Sequence, residues 1–381
     1  MTAGPRIRVA LVIPTMDRGG AEKQLVLLAS GLPRDEFDVR VFLLTRDGPR
    51  SEDLRRAGVP YEVIGKRFKG DVSALWRLRR AFKTFQADIV HTWLFAANSF
   101  GRVAAMWAGI PTRIAAERSV DPWKSGWQHR LDRYLAKSTH AVVTNSHGVV
   151  DFYAEHGHDP NQFVVIPNGI PAVDEVNAKP ISRAEAASRL NVDASHRWIV
   201  AVGRLWPQKN YRDLIWAGEL IGTLRQDTTL IIVGDGPQKG ELMRHRDALT
   251  TKNRVCFVGQ RDDVESWLPH ADAFWNASSY EGQSNALIEA MRAGVPVVAS
   301  DIAGNRDLVV PGETGALFPP GDTAELVRKT QAIWETPDQA EAMGQAAQNR
   351  ITTHFSVDQM VARYTKLYRD VAARSTHPKS R

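Results

Sequence analysis

The chain has 381 residues, of which 43% are apolar and 24% are charged. This is the composition of an ordinary folded protein, and the length predicts two domains rather than one core. No apolar run reaches the roughly 20 residues that a membrane-spanning helix needs. A single cysteine, Cys256, excludes an internal disulfide and a thiolate metal cluster, so we expect a cytoplasmic protein.

The net charge of +6 is unevenly distributed. Residues 1–180 carry 25 Lys and Arg against 19 Asp and Glu, whereas residues 181–381 carry 24 of each. Such a surplus is typical either of solvated helix faces or of a basic surface that meets membrane headgroups or an acidic acceptor. No recognisable nucleic-acid-binding motif accompanies the charge, so nucleic acid is not an expected partner.

Short apolar, β-branched segments alternate with helical patterns through the first half. Seven strands are predicted there: IRVALVIPT, FDVRVFLLT, PYEVIG, ADIVHTW, TRIAAER, AVVTNS and FVVIPNG. Between the third and fourth, DVSALWRLRRAFKTFQ has a helical period. Its predicted core stripe is Val72, Leu75, Trp76, Leu78 and Phe82. Continuous apolar strands that alternate with helices indicate a parallel sheet covered on both faces.

Residues 171–195 contain no strand pattern and are predicted to be a linker. Six strands follow: RWIVAVGRL, TTLIIVGDG, VCFVGQ, AFWNAS, VPVVAS and GALFP. The sequence therefore predicts two doubly wound α/β domains with a crevice between them, in which ligands bind at the carboxyl ends of the strands. The last helix, SVDQMVARYTKLYRDVAAR, has no strand after it. The predicted division is 1–172, 195–355 and a final helix, 356–381, that crosses back to the first domain.

One loop of the second half carries candidate phosphate ligands. Arg204 follows the strand WIVAVG in GRLWPQKN, and Lys209 stands just before the next helix. Two cations at one strand end, beside a helix N-terminus, favour a pair of phosphates. Gly234 follows the next strand, and Gly282 lies in a later loop; each lets the backbone turn tightly or approach a ligand.

The stretch SSYEGQSNALIEAMRAGVPVVAS places Glu281 in a loop and Glu289 inside the helix that follows. Ser284 is a suitable N-cap, so the amides of Asn285 and Ala286 should point out of the first turn, where the helix dipole favours an anion such as a diphosphate. We expect Glu281 to accept hydrogen bonds from sugar hydroxyls and Glu289 to accept them from a ribose.

The motifs GRLWPQKN, VGDGP, VCFVGQ and YEGQSNALIEAMRAGVPVVAS have an order and spacing that resembles the family 4 retaining glycosyltransferases of the GT-B fold. DRGGAEKQ and VTNS…VIPNGI extend the resemblance over essentially the whole chain. It implies two Rossmann-like doubly wound parallel-sheet domains facing a central crevice, the first binding the acceptor and the second the nucleotide-sugar donor.

The resemblance also implies a reaction. A sugar would move from a nucleotide diphosphate sugar, with UDP or GDP favoured, to a hydroxyl of a glycolipid, lipid-linked oligosaccharide or polysaccharide. Anomeric configuration would be retained, without a metal or other cofactor. Arg204 and Lys209 would bind the diphosphate and stabilise the leaving group. Glu281 would lie near the donor sugar and Glu289 at the ribose. Front-face attack and a covalent glycosyl-enzyme both stay open.

In the first half, the resemblance implies that Gly19 and Gly20 approach the phosphates or the sugar. Many relatives carry a histidine after the fifth strand, near the donor sugar. Here TRIAAERSVDPW has Glu117 and Arg118 at that place, and we expect them to contact the donor sugar or the acceptor. His91, which ends ADIVH, is another candidate; the alternative is a histidine satisfied at a strand end.

The segment WKSGWQHRLDRYLAK interleaves aromatic and basic residues: Trp123, Lys124, Trp127, Arg130, Arg133 and Lys137. This pattern is typical of an interfacial helix, and also of a core stripe with a solvated face. The first interpretation predicts peripheral contact of the basic N-terminal domain with an anionic membrane at its cytoplasmic face.

Two other function classes fit the same architecture. A sugar-nucleotide epimerase or hydrolase would consume the donor without an acceptor. A non-catalytic nucleotide-sugar-binding protein is disfavoured because Arg204, Lys209, Glu281 and Glu289 are all present. A nicotinamide dehydrogenase is disfavoured because IPTMDRGGAEKQ lacks the G-x-G-x-x-G turn.

Overall fold

A computed structural model describes residues 6–172 and 179–376. The chain forms two compact units, Met1–Gly169 with Val357–Arg381, and Ile170–Ser356. Each described unit is a parallel sheet with helices on its faces, which confirms the predicted pair of Rossmann-like domains. Within the described residues, every helix is too short or too polar to cross a bilayer.

The first unit contains a seven-stranded sheet in the order β3-β2-β1-β4-β5-β6-β7. The strands are β1 Ile7–Ile13, β2 Phe37–Leu43, β3 Tyr61–Val63, β4 Ile89–Trp93, β5 Thr112–Glu117, β6 Ala141–Thr144 and β7 Phe163–Val165. The helices are α1 Gly20–Gly31, α2 Ser51–Arg56, α3 Val72–Phe85, α4 Leu94–Ala108, α5 Gly126–Ala136 and α6 His147–Glu155, with α15 Val357–Thr376 joining from the end of the chain.

The second unit contains a six-stranded sheet in the order β10-β9-β8-β11-β12-β13. The strands are β8 Arg197–Val202, β9 Thr228–Val233, β10 Val255–Gly259, β11 Ala273–Asn276, β12 Val297–Ser300 and β13 Ala316–Phe318. The helices are α7 Arg183–Leu190, α8 Tyr211–Leu224, α9 Lys239–Asp247, α10 Val264–Trp267, α11 Asn285–Arg292, α12 Ala303–Arg306, α13 Thr323–Glu335 and α14 Pro337–His354.

Both faces of each sheet are buried, which explains why the strands read as continuous apolar runs. In β1, Leu11 packs into one core cluster and Val12 into the cluster on the opposite face. In β8, Trp198 and Ile199 divide between the two clusters of the second unit in the same way. All thirteen strand segments predicted from the sequence form strands. In each sheet the strand order reverses beside the first strand, and a doubly wound sheet binds ligands at that switch point.

The structure differs from the predicted linker at 171–195. Residues 183–190 of that segment form α7, and Ala186, Ala187 and Leu190 are buried in the core of the second unit. The compact unit begins at Ile170, which pairs with Ser356 in an isolated bridge. Residues 173–178 of the segment lie outside the described residues.

The predicted core stripe of α3 is only partly buried. Leu78 and Phe82 are in the core, but Val72 and Trp76 are 58% and 57% exposed. The buried face of α3 instead uses small residues, Ala74 among them, which allow α4 to pack closely.

Candidate active site

The loop after β8 and the loop after β11 meet at the carboxyl edge of the second sheet. Gln208 joins them, because its backbone carbonyl accepts from the Ser279 amide at 2.9 Å and its Nε2 donates to the Tyr280 carbonyl at 2.7 Å. β8 and β11 are neighbours in the sheet, so their carboxyl ends are adjacent. The two loops that carry the predicted phosphate and sugar ligands therefore lie side by side.

Lys209 and Glu281 contact each other directly across these loops. The Lys209 ammonium donates to Glu281 Oε1, and the two side chains are 20% and 9% exposed. Glu281 also accepts from Ser278 Oγ at 2.8 Å and from Gln208 Nε2 at 3.3 Å. Burial, and then the nearby Glu281 charge, raises the pKa of Tyr211, which keeps this hydroxyl protonated. The carboxylate is thus held in place by a cation and two neutral donors.

Arg204 lies in the same loop, with its guanidinium 4.8 Å above the Trp206 ring and exposed to solvent. No ion pair to Arg204 occurs within residues 6–172 and 179–376. It therefore provides a second cation that is supported by an aromatic face and open to an anion.

Helix α11 begins as the sequence predicts. Ser284 is its N-cap, with Oγ accepting from the Leu287 amide and from Asn276 Nδ2 at 3.1 Å. Asn285 and Ala286 are the first two helical residues, where the amides point along the axis out of the helix. Glu289 lies half-buried one turn further along α11.

Two close backbone approaches shape the site. Gly234 has φ +140°, and a Cβ there would lie 2.0 Å from the Gly203 carbonyl oxygen. A Cβ on Gly304 would lie 2.0 Å from the Gly282 carbonyl oxygen. Gly282 is buried in the loop that carries Glu281, so α12 supports this loop from behind through Gly304.

In the first unit, Gly19 directly precedes α1 and Gly20 is the first residue of that helix. Gly19 is the N-cap position of α1, and its carbonyl accepts from the Lys23 amide at 3.1 Å. This loop follows β1, beside the switch point of the sheet.

Glu117 is buried in a charge network instead of being presented to solvent. Its Oε2 lies 3.2 Å from Lys124 Nζ and accepts from the Tyr153 hydroxyl at 2.9 Å. The Lys124 side chain is fully buried and also lies 3.2 Å from Asp121 and 3.0 Å from Asp132. Burial raises the pKa of Glu117 to about 7, while Lys124 opposes this shift and the two aspartates add to it. These contacts hold the end of β5 in place, so Glu117 acts as a positioning residue.

His91 is a core residue in the structure. It is fully buried in β4, its Nδ1 lies 2.7 Å from the Tyr368 hydroxyl, and the rings of Trp93 and Tyr364 pack around it. Burial, with a smaller effect of Arg118, lowers the pKa of His91 to about 3, so the ring is neutral. The structure does not bring His91 to a ligand-accessible surface, because α15 covers it.

Arg118 directly follows β5 and is 8% exposed. It donates to Asn168 Oδ1 and, at 3.2 Å, to the Tyr364 hydroxyl. The structure thus separates the two residues that stand at the histidine position: one is enclosed in an ion network, and the other is a buried cation at the strand end.

Several residues of the site were not predicted from the sequence. Gln208, Ser278, Asn276 and Gly304 contact Glu281, its loop or the cap of α11, and Tyr211 lies near the Glu281 charge. The contacts of Gln208 and Gly304 join different loops, so no local sequence pattern marks these two residues. Ser278 and Asn276 lie three and eight residues before their partners in the same segment, within reach of a local search. The described residues contain no group of three His, Cys, Asp or Glu side chains arranged to hold a metal ion.

Comparison with known families agrees with this geometry. Residues 18–173 match the family described as Glycosyltransferase Family 4, and residues 196–336 match the one described as Glycosyl transferases group 1. The chain belongs to these glycosyltransferases. The two matches cover β2 to β7 of the first unit and all six strands of the second, including the loops of Lys209 and Glu281, so the predicted resemblance is confirmed.

Two glycosyltransferase relatives align over nearly the whole chain. The UDP-Gal:alpha-D-GlcNAc-diphosphoundecaprenol alpha-1,3-galactosyltransferase of Escherichia coli is 27% identical over 89% of this chain and 91% of its own length. The lipopolysaccharide core biosynthesis glycosyltransferase LpsD of Rhizobium meliloti is 26% identical over 93% of this chain and 97% of its own.

Solved structures share the fold of this glycosyltransferase. Anabaena Alr3699/HepE in complex with UDP-glucose aligns with a TM-score of 0.86 and 24% identity, covering 96% of this chain and 100% of that one. The lipopolysaccharide outer core galactosyltransferase WaaB aligns with a TM-score of 0.69 and 18% identity over 96% of this chain. The architecture is therefore the GT-B fold.

Proposed function

We propose that the enzyme transfers a sugar from a nucleotide diphosphate sugar to a hydroxyl of a glycan or lipid-linked acceptor, with retention of configuration and without a metal. One observation carries the donor site: Lys209, Glu281 and the N-terminus of α11 come together at adjacent strand ends of the second unit. Cations and a helix N-terminus suit a diphosphate, and a held carboxylate suits sugar hydroxyls.

The protein would contribute to catalysis mainly by electrostatic stabilisation. As the glycosidic bond to the diphosphate breaks, negative charge develops on the leaving oxygen, and Arg204 and Lys209 would stabilise it in place of a metal. Glu281 would accept hydrogen bonds from the donor sugar, and Glu289 from the ribose. Retention is proposed from family membership. The acceptor class is proposed from the relatives, one of which acts on a diphosphoundecaprenol-linked sugar by name.

The test starts with the nucleotide. UDP, GDP, ADP and TDP are compared by thermal shift, and a ligand at about 100 times its Kd should add roughly 2.7 kcal/mol to stability. The sugar conjugates of the diphosphate that binds are then incubated with and without glycolipid acceptors. Transfer that needs the acceptor supports the proposal; equal consumption of donor without acceptor would point to a hydrolase or epimerase, and no shift with any nucleotide would contradict it.

We further propose that the enzyme acts in the cytoplasm and meets an anionic membrane through the outer face of α3, α4 and α5. Large side chains are exposed on these helices and on the loop before α5: Trp76, Trp107, Trp123, Trp127 and Tyr134. They include two ring clusters: Trp76 lies 5.7 Å from Trp107, and Phe95 lies 5.9 Å from Trp123 and 6.4 Å from Trp127, between ring centroids. Arg130 on α5 and Lys137 at its C-cap are also exposed. Aromatic and basic residues together suit a headgroup region.

Vesicle binding tests this surface. The protein should sediment with vesicles of phosphatidylcholine mixed with phosphatidylglycerol and much less with phosphatidylcholine alone. Trp127→Ala should weaken the binding, whereas Trp216→Ala should leave it unchanged, because Trp216 is 46% exposed on α8 of the other unit. Equal binding to both lipids, or no binding, would count against an electrostatic membrane surface.

A further inference from the structure

Arg118 differs from the other buried cations of this protein. Four arginine or lysine side chains are buried in the described residues: Arg102, Arg118, Lys124 and Arg292. Three of them lie within 3.2 Å of a carboxylate oxygen. Among residues 6–172 and 179–376, no carboxylate lies within ion-pair distance of Arg118. This one cation is buried without a counter-charge.

Its surroundings are polar but neutral. The guanidinium stacks 4.9 Å from the centre of the Trp93 ring and donates to the Tyr364 hydroxyl and the Asn168 amide oxygen. These contacts fix its orientation. They do not neutralise its charge, and burying an uncompensated charge is unfavourable. Burial accordingly lowers the pKa of Arg118.

The guanidinium has donors to spare. It carries five N–H groups, and the structure pairs one from each terminal nitrogen. Its Nε has no partner among these contacts and is not among the enclosed atoms that lack one, so Nε is open to solvent. Beside it, the enclosed Trp93 Nε1 has no hydrogen-bond acceptor among the described residues. A fork of fixed, partly unused donors is the geometry that binds a carboxylate or phosphate through two oxygens.

The position of Arg118 is also that of a ligand residue. It stands at the carboxyl end of β5, next to β4 in the sheet and one strand further from the switch point. Glu117, its neighbour, is held by Lys124 and Tyr153, so the backbone that carries Arg118 is anchored from one side. Asn168 and Tyr364 anchor the side chain from the other.

We propose that Arg118 is the receptor for an oxyanion on the substrate, and that it makes the enzyme select substrates that carry one. This inference rests on the proposed glycosyl transfer. The oxyanion has two sources with the same chemistry: the carboxylate of a uronic acid sugar, or a phosphate of a lipid-linked acceptor. Either would supply the counter-charge that the fold leaves out.

Binding of small probes tests this directly. Calorimetry on the full chain, saturated with whichever nucleotide stabilises it, measures the affinity for inorganic phosphate, glucuronate and neutral glucose. At least one anion should bind the wild type more tightly than glucose does. Arg118→Gln should weaken binding of that anion by about tenfold or more. Arg118→Lys should weaken it as well, because lysine keeps the charge but loses the forked pair of guanidinium donors.

Arg113→Gln is the matched control. Arg113 lies at the other end of β5, where it donates to the Ser138 carbonyl at 2.7 Å and the Ile110 carbonyl at 2.6 Å. It should leave anion binding unchanged. A preference for glucuronate identifies the uronic acid as the source, and a preference for phosphate identifies the acceptor phosphate. If Arg118→Gln does not fold, Arg118→Lys decides the question.

The failure of this inference can be told from the failure of the proposed function. Unchanged anion affinity in Arg118→Lys, or no anion bound better than glucose, overturns the receptor, while nucleotide binding then still supports glycosyl transfer. If no nucleotide binds, glycosyl transfer is contradicted, and the probes are titrated without nucleotide. In the active enzyme, Arg118→Lys should raise KM for the charged substrate about tenfold with little change in kcat and in nucleotide affinity.

Discussion

At the scale of single residues, the contact between Lys209 and Glu281 has two consequences. It keeps the Lys209 ammonium at the site before any donor binds. It is also not the sole contact of Glu281, because Ser278 and Gln208 still donate to this carboxylate if the lysine is replaced. We therefore expect Lys209→Met to fold normally and to lose about 10²–10³ in kcat, the usual loss when one group that stabilises developing charge is removed.

Steady-state kinetics and thermal melting check this expectation. Lys329→Met is the matched control, because Lys329 pairs with Glu325 at 3.5 Å on α13, away from the strand ends. The control should keep wild-type kcat. A Lys209→Met enzyme with wild-type kcat would show that Lys209 does not stabilise the leaving group.

Glu117 makes the stability of the first unit depend on pH. Its folded pKa of about 7 is above the ordinary value of 4.5 because the carboxyl is buried. A raised carboxyl pKa means that the folded state holds the proton more tightly, so this contribution is complete below pH 4.5 and is lost as pH rises through 7. The shift corresponds to about 3 kcal/mol.

Glu117→Gln removes this titration, so the comparison isolates it. The free energy of unfolding of both proteins is measured in urea at pH 5 and pH 8. The stability of the variant relative to the wild type should rise by up to about 3 kcal/mol from the lower to the higher pH. A difference in unfolding free energy that does not change with pH would show that Glu117 titrates normally.

At the scale of elements, the short helix α12 determines where Glu281 lies. Gly304 allows α12 to touch the Gly282 carbonyl, and an added Cβ would have to displace that backbone. Gly304→Ala should therefore destabilise the protein by about 1–3 kcal/mol, as overpacking does, and lower donor affinity. Gly240→Ala on α9 should have no such effect, since only the end of Arg244, at 3.8 Å, is near its Cβ.

Chemical denaturation and nucleotide titration measure the two effects. If Gly304→Ala matched the Gly240→Ala control in both stability and donor affinity, the loop of Glu281 would be shown to tolerate a shift of α12.

Elements also show what the sequence could predict. The strands were predictable because a sheet buried on both faces needs unbroken apolar runs, and α11 because Ser284 and Gly294 mark its ends locally. The buried face of α3 was not predictable, since Trp76 and Ala74 both fall on helical spacings and only the packing of α4 selects the smaller residue. Lys124 was predicted among surface cations, and its carboxylate partners come from different elements.

At the scale of the whole molecule, the two units differ in how the chain builds them. The second unit is continuous, and the chain enters and leaves it at one place, where the Ile170 amide donates to the Phe355 carbonyl at 2.8 Å. The first unit is discontinuous. Tyr364 and Tyr368 of α15 are fully buried in its core, against His91 and Phe37 among others. Its core is therefore incomplete until the end of the chain is made.

This difference predicts how fragments behave. A fragment of residues 170–356 should fold alone, because its sheet has its own core on both faces, and it should bind the nucleotide within about tenfold of the intact enzyme's Kd if the diphosphate ligands are Arg204, Lys209 and α11. A fragment ending at residue 169 should lack a cooperative melting transition, because burial of the aromatic side chains of α15 is lost.

Circular dichroism melting measures the folding of each fragment, and calorimetric titration measures its nucleotide binding. A folded 170–356 fragment that does not bind nucleotide would show that the first unit supplies an essential part of the donor site, and the loop of Gly19 and Gly20 would then be the place to seek it.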